Sequence, residues 1–490
     1  MLNLYLMRLQ WWIFGPDRRA ACLAIGTICV IAALIVASYV AALGPLYSLA
    51  GAITLAGGAL MLTSIQWGLI ALVSIACLLP FATFPFKLGF TPSFLDVALV
   101  MLFFVWFARL ATGRERRFEA SPIGLAVFLF LGLALVAFAR GLAHARLTAT
   151  TLRDFVEMIL GIAVFFVVIN HVRRPSQIEW LLRVLMLAGF GAAAIGVVFY
   201  AIPEAWTVRV LNALGRFGYP GGYGALRYIE DDPMNPMRAI GTSVDPNVLG
   251  GLMVLVTLVT APQAVVRSPL WPRWLVLPML ATEGVCLYLT YSRGSLVGLA
   301  AALLLLGIVR YRRLLLLALL GALLLLLLPQ TQGYVNHFIE GVRGQDLATQ
   351  MRFGEYRDAL RLISEYPWFG VGFAGAPTID LYIGVSNLYL MIAEQIGLLG
   401  LAAFLLTMAL FFGHLVQAWH RGLPERWEGI ILGLGGAVAG GLAAGMFDHY
   451  LFNLAYPHMT SLFWLYIGLV MASLRLVRDS DVSSRVLSSS

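Results

Sequence analysis

The sequence predicts an all-α, polytopic integral membrane helix bundle, and three observations lead to that class. The residues are 60% hydrophobic and only 12% charged, and the mean hydropathy is +0.87. A soluble globular domain carries about 25% charged residues, so this composition excludes an ordinary soluble protein. The third observation is that apolar runs of membrane-spanning length recur from one end of the chain to the other. The four cysteines lie inside such runs, without the spacing of a disulfide framework or a metal site.

A helix that crosses the hydrocarbon core needs about 20 mostly apolar residues, and by that criterion we expect about 12 to 14 transmembrane helices. The candidate spans are 20–43, 46–62, 66–83, 94–111, 122–139, 156–171, 180–202, 246–266, 275–291, 294–309, 314–329, 393–418, 430–447 and 458–474. The break between the second and third spans is weak. We interpret the first run as a retained helix, because no small-residue cleavage site follows it.

Positive charge predicts the orientation of these spans. The connectors at 17–19, 114–117, 173–174, 267–273, 310–313, 421–426 and 475–478 are rich in arginine and fall on one side. The positive-inside rule makes that side cytoplasmic. An even number of spans then places both termini in the cytoplasm.

Two long connectors on the opposite face divide the chain into five regions. These are N-terminal transmembrane helices (1–202), a first outer loop (203–245), central helices (246–329), a second outer loop (330–392), and C-terminal helices with a cytoplasmic tail (393–490). Loops of this length are usually functional or disordered. In the second loop, Phe353, Tyr356, Leu360 and Ile363 have helical spacing. We therefore expect that loop to contain amphipathic helices at the membrane surface.

Arginines on the outer face are the main anomaly of the sequence. Arg352, Arg357 and Arg361 follow a helical pattern in the second outer loop. Arg293 lies between two spans with almost no loop, where an arginine near hydrocarbon costs about 2.5–3.5 kcal/mol. One interpretation is that Arg293 extends to the interface; the other is that these arginines bind an anion.

Other ionisable residues also stand where a membrane disfavours them. Glu283 lies in the middle of a predicted span, so it is either a functional group or a structural partner for a neighbouring helix. Asp448 and His449 lie at the outer end of a span. A histidine there can accept a proton near neutral pH, or it can simply cap the helix.

Four motifs resemble, in their order and spacing, the bacterial O-antigen ligase and O-antigen polymerase superfamily. They are TSVDPNVLGGLM (242–253), TYSRGS (290–295), YPWFGVGFAG (366–375) and SNLYLMIAEQIGLLG (386–400). The resemblance covers roughly residues 240 to 450. Each motif alone is weak, but their shared order and shared outer location make the set fairly specific.

The resemblance implies a multi-pass glycosyltransferase of the bacterial inner membrane whose active site faces the periplasm. Its donor would be a glycan linked to undecaprenyl diphosphate. A ligase passes the glycan to the core sugar of lipid A, and a polymerase passes it to the next lipid-linked repeat unit. Transfer would need no metal and no cofactor. Arginine suits this role, because its planar, permanently charged fork binds phosphate oxygens in a bidentate way.

Eleven residues follow from the anomalies and the motifs as candidates for the site. We expect catalytic roles for Arg293, Arg352, Glu394, Asp448 and His449, and substrate-binding roles for Arg238, Asp245, Asn247, Arg357, Ser386 and Asn387. Expected partners are the lipid-linked glycan, a glycan or lipid acceptor, and membrane lipids, with a polysaccharide chain-length regulator or export proteins as further candidates. Nucleic acid is not expected.

One residue departs from the family pattern. The position before Asn387 is typically histidine in ligases, where it is thought to activate the acceptor hydroxyl, and here it is Ser386. Serine is not a general base unaided, so this departure favours a polymerase of O-antigen or exopolysaccharide over a ligase. The proton acceptor would then be Glu394, Asp448, His449 or Glu283. Ser386 and Asn387 are also favoured helix N-cap residues, which gives them a structural alternative.

Two functions of other classes are also compatible with the sequence. A transporter or flippase of a lipid-linked or anionic solute would place its site near the midplane, on broken helices in repeated halves. No such repeat is visible, and most polar anomalies lie at one face. A non-catalytic envelope scaffold would use the outer arginines to bind phospholipid headgroups.

Overall fold

The computed structural model describes residues 44–87, 89–114, 118–327, 343–344, 347–375 and 384–489, with isolated positions between 27 and 41 and at 332 and 339. The chain divides into two compact units, Met1–Thr63 and Ser64–Ser490. In the first unit the described helix is α1, Pro45–Thr63. The predicted span 20–43 lies almost entirely outside the described residues.

The second unit is a helix bundle with very little strand. Its helices are α2 (Ile65–Leu78), α3 (Phe94–Ala111), α4 (Gly124–Gly141), α5 (Ala149–His171), α6 (Pro175–Ala201), α7 (Glu204–Leu214), α8 (Pro246–Val265), α9 (Arg273–Leu289), α10 (Arg293–Val309), α11 (Arg312–Leu327), α12 (Leu347–Glu365), α13 (Leu388–Arg421), α14 (Glu425–Ala444) and α15 (Pro457–Ser489). Each of these helices except α7 and α12 overlaps a predicted span.

Seven of the described helices are long and apolar enough to cross a membrane. They are α3, α4, α6, α8, α13, α14 and the Pro457–Ser480 part of α15. Shorter apolar helices lie at Thr54–Thr63, Ile65–Leu78 and Arg293–Val309. The chain is therefore an all-α polytopic membrane protein, as predicted. The expected count of about 12 to 14 spans stays a prediction.

Helix α8 is the centre of the bundle. It packs against α6, α9, α10 and α14, and its residues Val254, Leu255 and Val256 are fully buried. A helix that is apolar on all sides belongs in an interior. Its first turn is therefore held firmly in place, which matters because the candidate site begins there.

The first predicted outer loop is folded. It contains α7, short 3₁₀ turns at Gly215–Phe217, Tyr223–Ala225, Ile229–Asp231 and Gly241–Ser243, and the strands β1 (Arg227–Tyr228) and β2 (Met237–Arg238). The two strands pair antiparallel, with Arg227 opposite Arg238. The N–H of Ala239 then donates to the carbonyl of Leu289 at 2.8 Å, which ties the loop to the end of α9.

The second predicted outer loop contains α12, whose Leu347–Glu365 range confirms the helical spacing seen in the sequence. The following helix, α13, begins at Leu388, inside the region 330–392 that the sequence assigns to the loop. Its N-cap is Asn387, whose side chain accepts from the N–H groups of Tyr389 and Leu390. The helix starts earlier than the predicted span at 393, because residues 388–392 are also apolar and follow directly on the N-cap.

Helix α13 is broken at Gly397, where φ is +79°. The N–H groups of Val371 and Gly372 donate to the carbonyls of Glu394 and Gln395 at 2.9 and 3.0 Å. The N–H of Leu398 donates to the carbonyl of Pro367 at 2.7 Å. The turn at 367–372 thus replaces the hydrogen bonds that the break removes from the helix.

Glycine is required on both sides of this junction. A Cβ atom at Gly397 would collide with the backbone of Trp368, and one at Gly370 would meet the backbone of Glu394 and Gln395. Gly370 also has a left-handed φ of +67°. The end of α12 and the break of α13 are therefore joined backbone to backbone.

Candidate functional site

A cavity of about 90 Å³ brings together side chains from four distant segments. Its lining consists of Ile229, Glu230, Arg238, Asn247, Tyr291, Arg293 and Arg352. Four of these residues, Arg238, Asn247, Arg293 and Arg352, are among the predicted site residues. The cavity has room for several water molecules, or for a small polar group that would displace them.

Arg238 is held in a fixed orientation at this cavity. Its Nε donates to the carbonyl of Thr290 at 2.8 Å, and its Nη2 donates to Oδ1 of Asn247 at 2.7 Å. Asn247 lies in the first turn of α8, where Oδ1 of Asp245 accepts from the N–H groups of Asn247 and Val248 at 2.8 and 3.0 Å. Asp245 therefore caps α8 and positions Asn247, and Asn247 positions the arginine.

Arg293 reaches the cavity because the chain reverses very tightly before it. Helix α9 ends at Leu289 and α10 begins at Arg293. Within the reversal Tyr291 has a left-handed φ of +52°, and the N–H of Ser292 donates to Oγ1 of Thr290 at 3.2 Å. The first residue of a helix lies at the positive end of its dipole, so this position adds to the attraction for an anion.

Arg352 joins from α12, where its side chain is half-buried. Asp448 is close enough for electrostatic interaction with both Arg352 and Asp245. Burial raises the pKa of Asp448, and the negative charge of Asp245 raises it further, while His449 and Arg352 act in the opposite direction. Asp448 and His449 therefore lie beside the cavity, in the loop between α14 and α15.

The two residues of this loop form a dyad. Nδ1 of His449 lies 3.6 Å from Oδ1 of Asp448, and the backbone N–H of His449 donates to the same oxygen at 2.8 Å. Both side chains are largely buried. A carboxylate this close to one ring nitrogen can orient the imidazole.

The cavity is unbalanced in charge. Three arginines face one carboxylate, Glu230, among its lining residues. Sequence reasoning missed Glu230 and Tyr291, and the reason is geometric. Both are non-glycine residues with positive φ, +58° and +52°, a conformation that tertiary contacts impose and that sequence pattern does not reveal.

Two other predicted substrate-binding residues, Ser386 and Asn387, serve the junction before α13. Oδ1 of Asn387 accepts from the N–H groups of Tyr389 and Leu390, each at 3.0 Å, while its Nδ2 donates to the carbonyl of Met446 at 2.9 Å. The N–H of Ser386 donates to Glu355 Oε2 at 2.8 Å. In this structure Asn387 is an N-cap that also fixes α13 to the end of α14.

The remaining candidates lie away from the cavity lining. Arg357 is exposed on α12. Glu394 is 1% exposed within α13 and lies near the carboxylates of Asp358 and Glu355. Glu283 is fully buried between α8 and α9, where its Oε1 accepts from Thr260 Oγ1 at 3.1 Å. That geometry fits the structural alternative for Glu283, a partner for a neighbouring helix.

Comparison with known proteins adds one match. A family model described as O-antigen ligase matches residues 276–405, a range that includes Arg293 and Arg352 and excludes Arg238, Asn247 and the Asp448–His449 dyad. No curated protein matches the chain significantly. The match at 276–405 supports the predicted resemblance of this part of the chain to the O-antigen ligase and polymerase superfamily.

Proposed function

We propose that the chain is a glycosyltransferase of the bacterial inner membrane that polymerises O-antigen or exopolysaccharide repeat units. Its donor is a glycan on undecaprenyl diphosphate, its acceptor is a hydroxyl of another lipid-linked glycan, and the cavity end of the bundle faces the periplasm. The observation that carries the proposal is the convergence of Arg238, Arg293 and Arg352 on one cavity, from segments far apart in sequence.

The charge of the cavity suits the leaving group. An undecaprenyl diphosphate gains negative charge as its bond to the sugar breaks, and three arginines facing one carboxylate leave net positive charge for it. Arg238 is already oriented by Thr290 and Asn247, so its charge needs no rearrangement during the reaction. Preorganised charge in a partly dry site is usually the largest contribution to such catalysis.

The proposed step is a direct displacement. A hydroxyl oxygen of the acceptor sugar attacks the anomeric carbon of the donor. The new glycosidic C–O bond forms as the C–O bond to the diphosphate breaks, and the electron pair of that bond leaves with undecaprenyl diphosphate. The hydroxyl proton passes to His449, which Asp448 orients and stabilises when charged.

The structure disfavours one alternative, a transporter with its site on a broken helix. Helix α13 is indeed broken at Gly397, but the carbonyls of Glu394 and Gln395 accept from the 367–372 turn. The exposed backbone that would coordinate a transported solute is thus occupied by the protein itself. A ligase of the same superfamily remains the closest alternative, with Ser386 at the position where ligases carry histidine as the observation against it.

The test removes the arginines one at a time in a strain that lacks the native gene. We expect Arg293→Ala and Arg352→Ala each to reduce glycan transfer by about 10²- to 10³-fold, because each removes charge stabilisation of the leaving group. The matched control is Arg361→Ala, because Arg361 lies on α12 with Arg352 but is exposed and pairs with Glu365 at 3.1 Å. The measurement is the length distribution of surface glycan, together with transfer from purified donor in vesicles.

The same strains separate the alternatives. A polymerase defect leaves single repeats attached to the final acceptor, whereas a ligase defect leaves full-length glycan on the lipid carrier. Equal activity of both cavity variants and the control would refute the assignment of the cavity. Donor movement across the vesicle without sugar transfer would instead identify a transporter.

A further inference from the structure

A second cavity lies at the opposite end of the helices from the arginine cavity, where α5 and α13 end. Its volume is about 160 Å³. Its polar lining includes His414, Gln417 and Arg421 from α13, and Arg475 and Arg478 from α15. The proposed transfer reaction uses none of these residues.

Two other cavities lie at the same end of the helices, one beside Arg426 and one beside Arg267 and Arg310. The charge of the second cavity differs from theirs. In those, three of the four arginines have acidic partners: Arg426 pairs with Glu179 at 2.5 Å, Arg267 with Glu425 at 3.4 Å, and Arg310 with Glu428. The described lining of the second cavity contains three arginines and neither aspartate nor glutamate. Its positive charge is therefore poorly compensated from within.

Arg475 forms a rigid base for the cavity. Its Nη1 donates to the carbonyl of Ile169 at 2.9 Å, and its Nη2 donates to the carbonyl of Val172 at 2.6 Å. The carboxylate of Glu119 lies 3.8 Å from Nη1, and the charge of Asp479 also acts on Arg475. Arg475 thus caps the last turn of α5, while the exposed Arg421 and Arg478 present their charge at the mouth of the cavity.

The rest of the lining is largely apolar. Ile169, Met471, Leu474 and Val477 form one wall, contributed by α5 and α15. A free phosphate would gain nothing from that wall, whereas a lipid would place the start of its acyl chains there. Basic pockets between transmembrane helices on the cytoplasmic side are a recurring way to hold anionic lipid headgroups.

We infer that this cavity is a binding site for the headgroup of an anionic phospholipid in the leaflet opposite the arginine cavity. Arg421 and Arg478 bind the phosphate, and the apolar wall contacts the glycerol and upper acyl chains. The site does not depend on the transferase function and would exist equally in a transporter.

The test measures lipid binding to the purified full chain in detergent, with dioleoylphosphatidylglycerol as the anionic probe and dioleoylphosphatidylcholine as the zwitterionic one. We expect the double variant Arg421→Gln/Arg478→Gln to bind phosphatidylglycerol about thirty-fold more weakly, because each arginine near a headgroup contributes about a fivefold factor. Arg267→Gln is the control, since it removes an arginine at the same end that has an acidic partner.

A second variant, Gln417→Glu, keeps every arginine and adds a negative charge to the cavity, so it should weaken the same binding while retaining the thermal stability of the native chain. Unchanged phosphatidylglycerol binding in this variant and in the double variant would overturn the inference. Displacement of phosphatidylglycerol by inorganic phosphate at an equal concentration would also overturn it, because the apolar wall would then contribute nothing.

Discussion

Two clusters show that arginine serves opposite purposes in this molecule. In the first turns of α5, Arg153 contacts three carboxylates: Asp96 at 2.7 Å, and Asp154 and Glu157 each at 3.1 Å. In the arginine cavity the proportion is reversed, with three arginines facing one carboxylate, Glu230. The residue type is the same in both clusters, and the partners distinguish them.

The Arg153 cluster is built for stability. Ser93 caps α3 and also donates from its Oγ to Oε1 of Glu157 at 3.1 Å, so the cluster links α3 to α5. A buried charge is tolerated when it is paired and hydrogen-bonded. In the arginine cavity, by contrast, the three arginines surround a space that can hold a small polar group. The difference teaches that the charge balance around an arginine, more than its position, separates a structural cluster from a ligand site.

The strongest challenge to this distinction is a matched pair of substitutions to methionine. Arg153→Met should lower the free energy of unfolding by about 3–5 kcal/mol, because it leaves partly buried carboxylates without their shared partner. Arg293→Met should lower it by about 1 kcal/mol, because Arg293 lines a cavity and does not join three carboxylates. Thermal unfolding of the purified variants in detergent measures both. Similar losses in the two variants would erase the distinction.

A smaller effect is expected at the edge of the arginine cavity. Asp448→Asn should slow transfer about 10- to 100-fold, because His449 loses the charge that orients it and stabilises its protonated form. Since burial raises the pKa of Asp448, the wild-type rate should fall with acidification at a pH above the ordinary aspartate value. In the variant that contribution to the pH profile should be absent.

Stability should change in the opposite direction from activity. A carboxyl whose folded pKa is raised stabilises the fold while it is protonated, below its unfolded pKa, and that contribution is lost as the pH rises through the folded pKa. At neutral pH Asp448→Asn should therefore unfold at a higher temperature than the native chain, with the difference vanishing in acid. A variant that loses activity and stability together at neutral pH would show that Asp448 is merely structural.

The smallest expected effect concerns Asn387, which the sequence leaves open between a donor contact and a cap. Removing the cap with Asn387→Ala should lower stability by about 1 kcal/mol, whereas Asn387→Ser should retain most of it, because serine is also a favoured N-cap residue. The KM for the lipid-linked donor should be unchanged in the serine variant. A large rise in that KM, with stability intact, would return Asn387 to the substrate site.

Much of the fold was predictable because long apolar runs directly report helices. The sequence also singled out Arg238, Asn247, Arg293 and Arg352 as site residues, and two of them, Asn247 and Arg293, lie in motifs at the starts of helices. The contribution of Glu230 was not, since it depends on a left-handed residue in a loop. The pairing of Asp96 with Arg153 was equally hidden, because 57 positions separate them and no local pattern links α3 to α5.

The junction between Gly370 and Gly397 has a consequence for how this protein can diverge. Backbone atoms make that contact, so its geometry is indifferent to which side chains surround it. Residues on the exposed faces of α12 can therefore be substituted over evolution without moving this junction, which leaves Arg352 in its place.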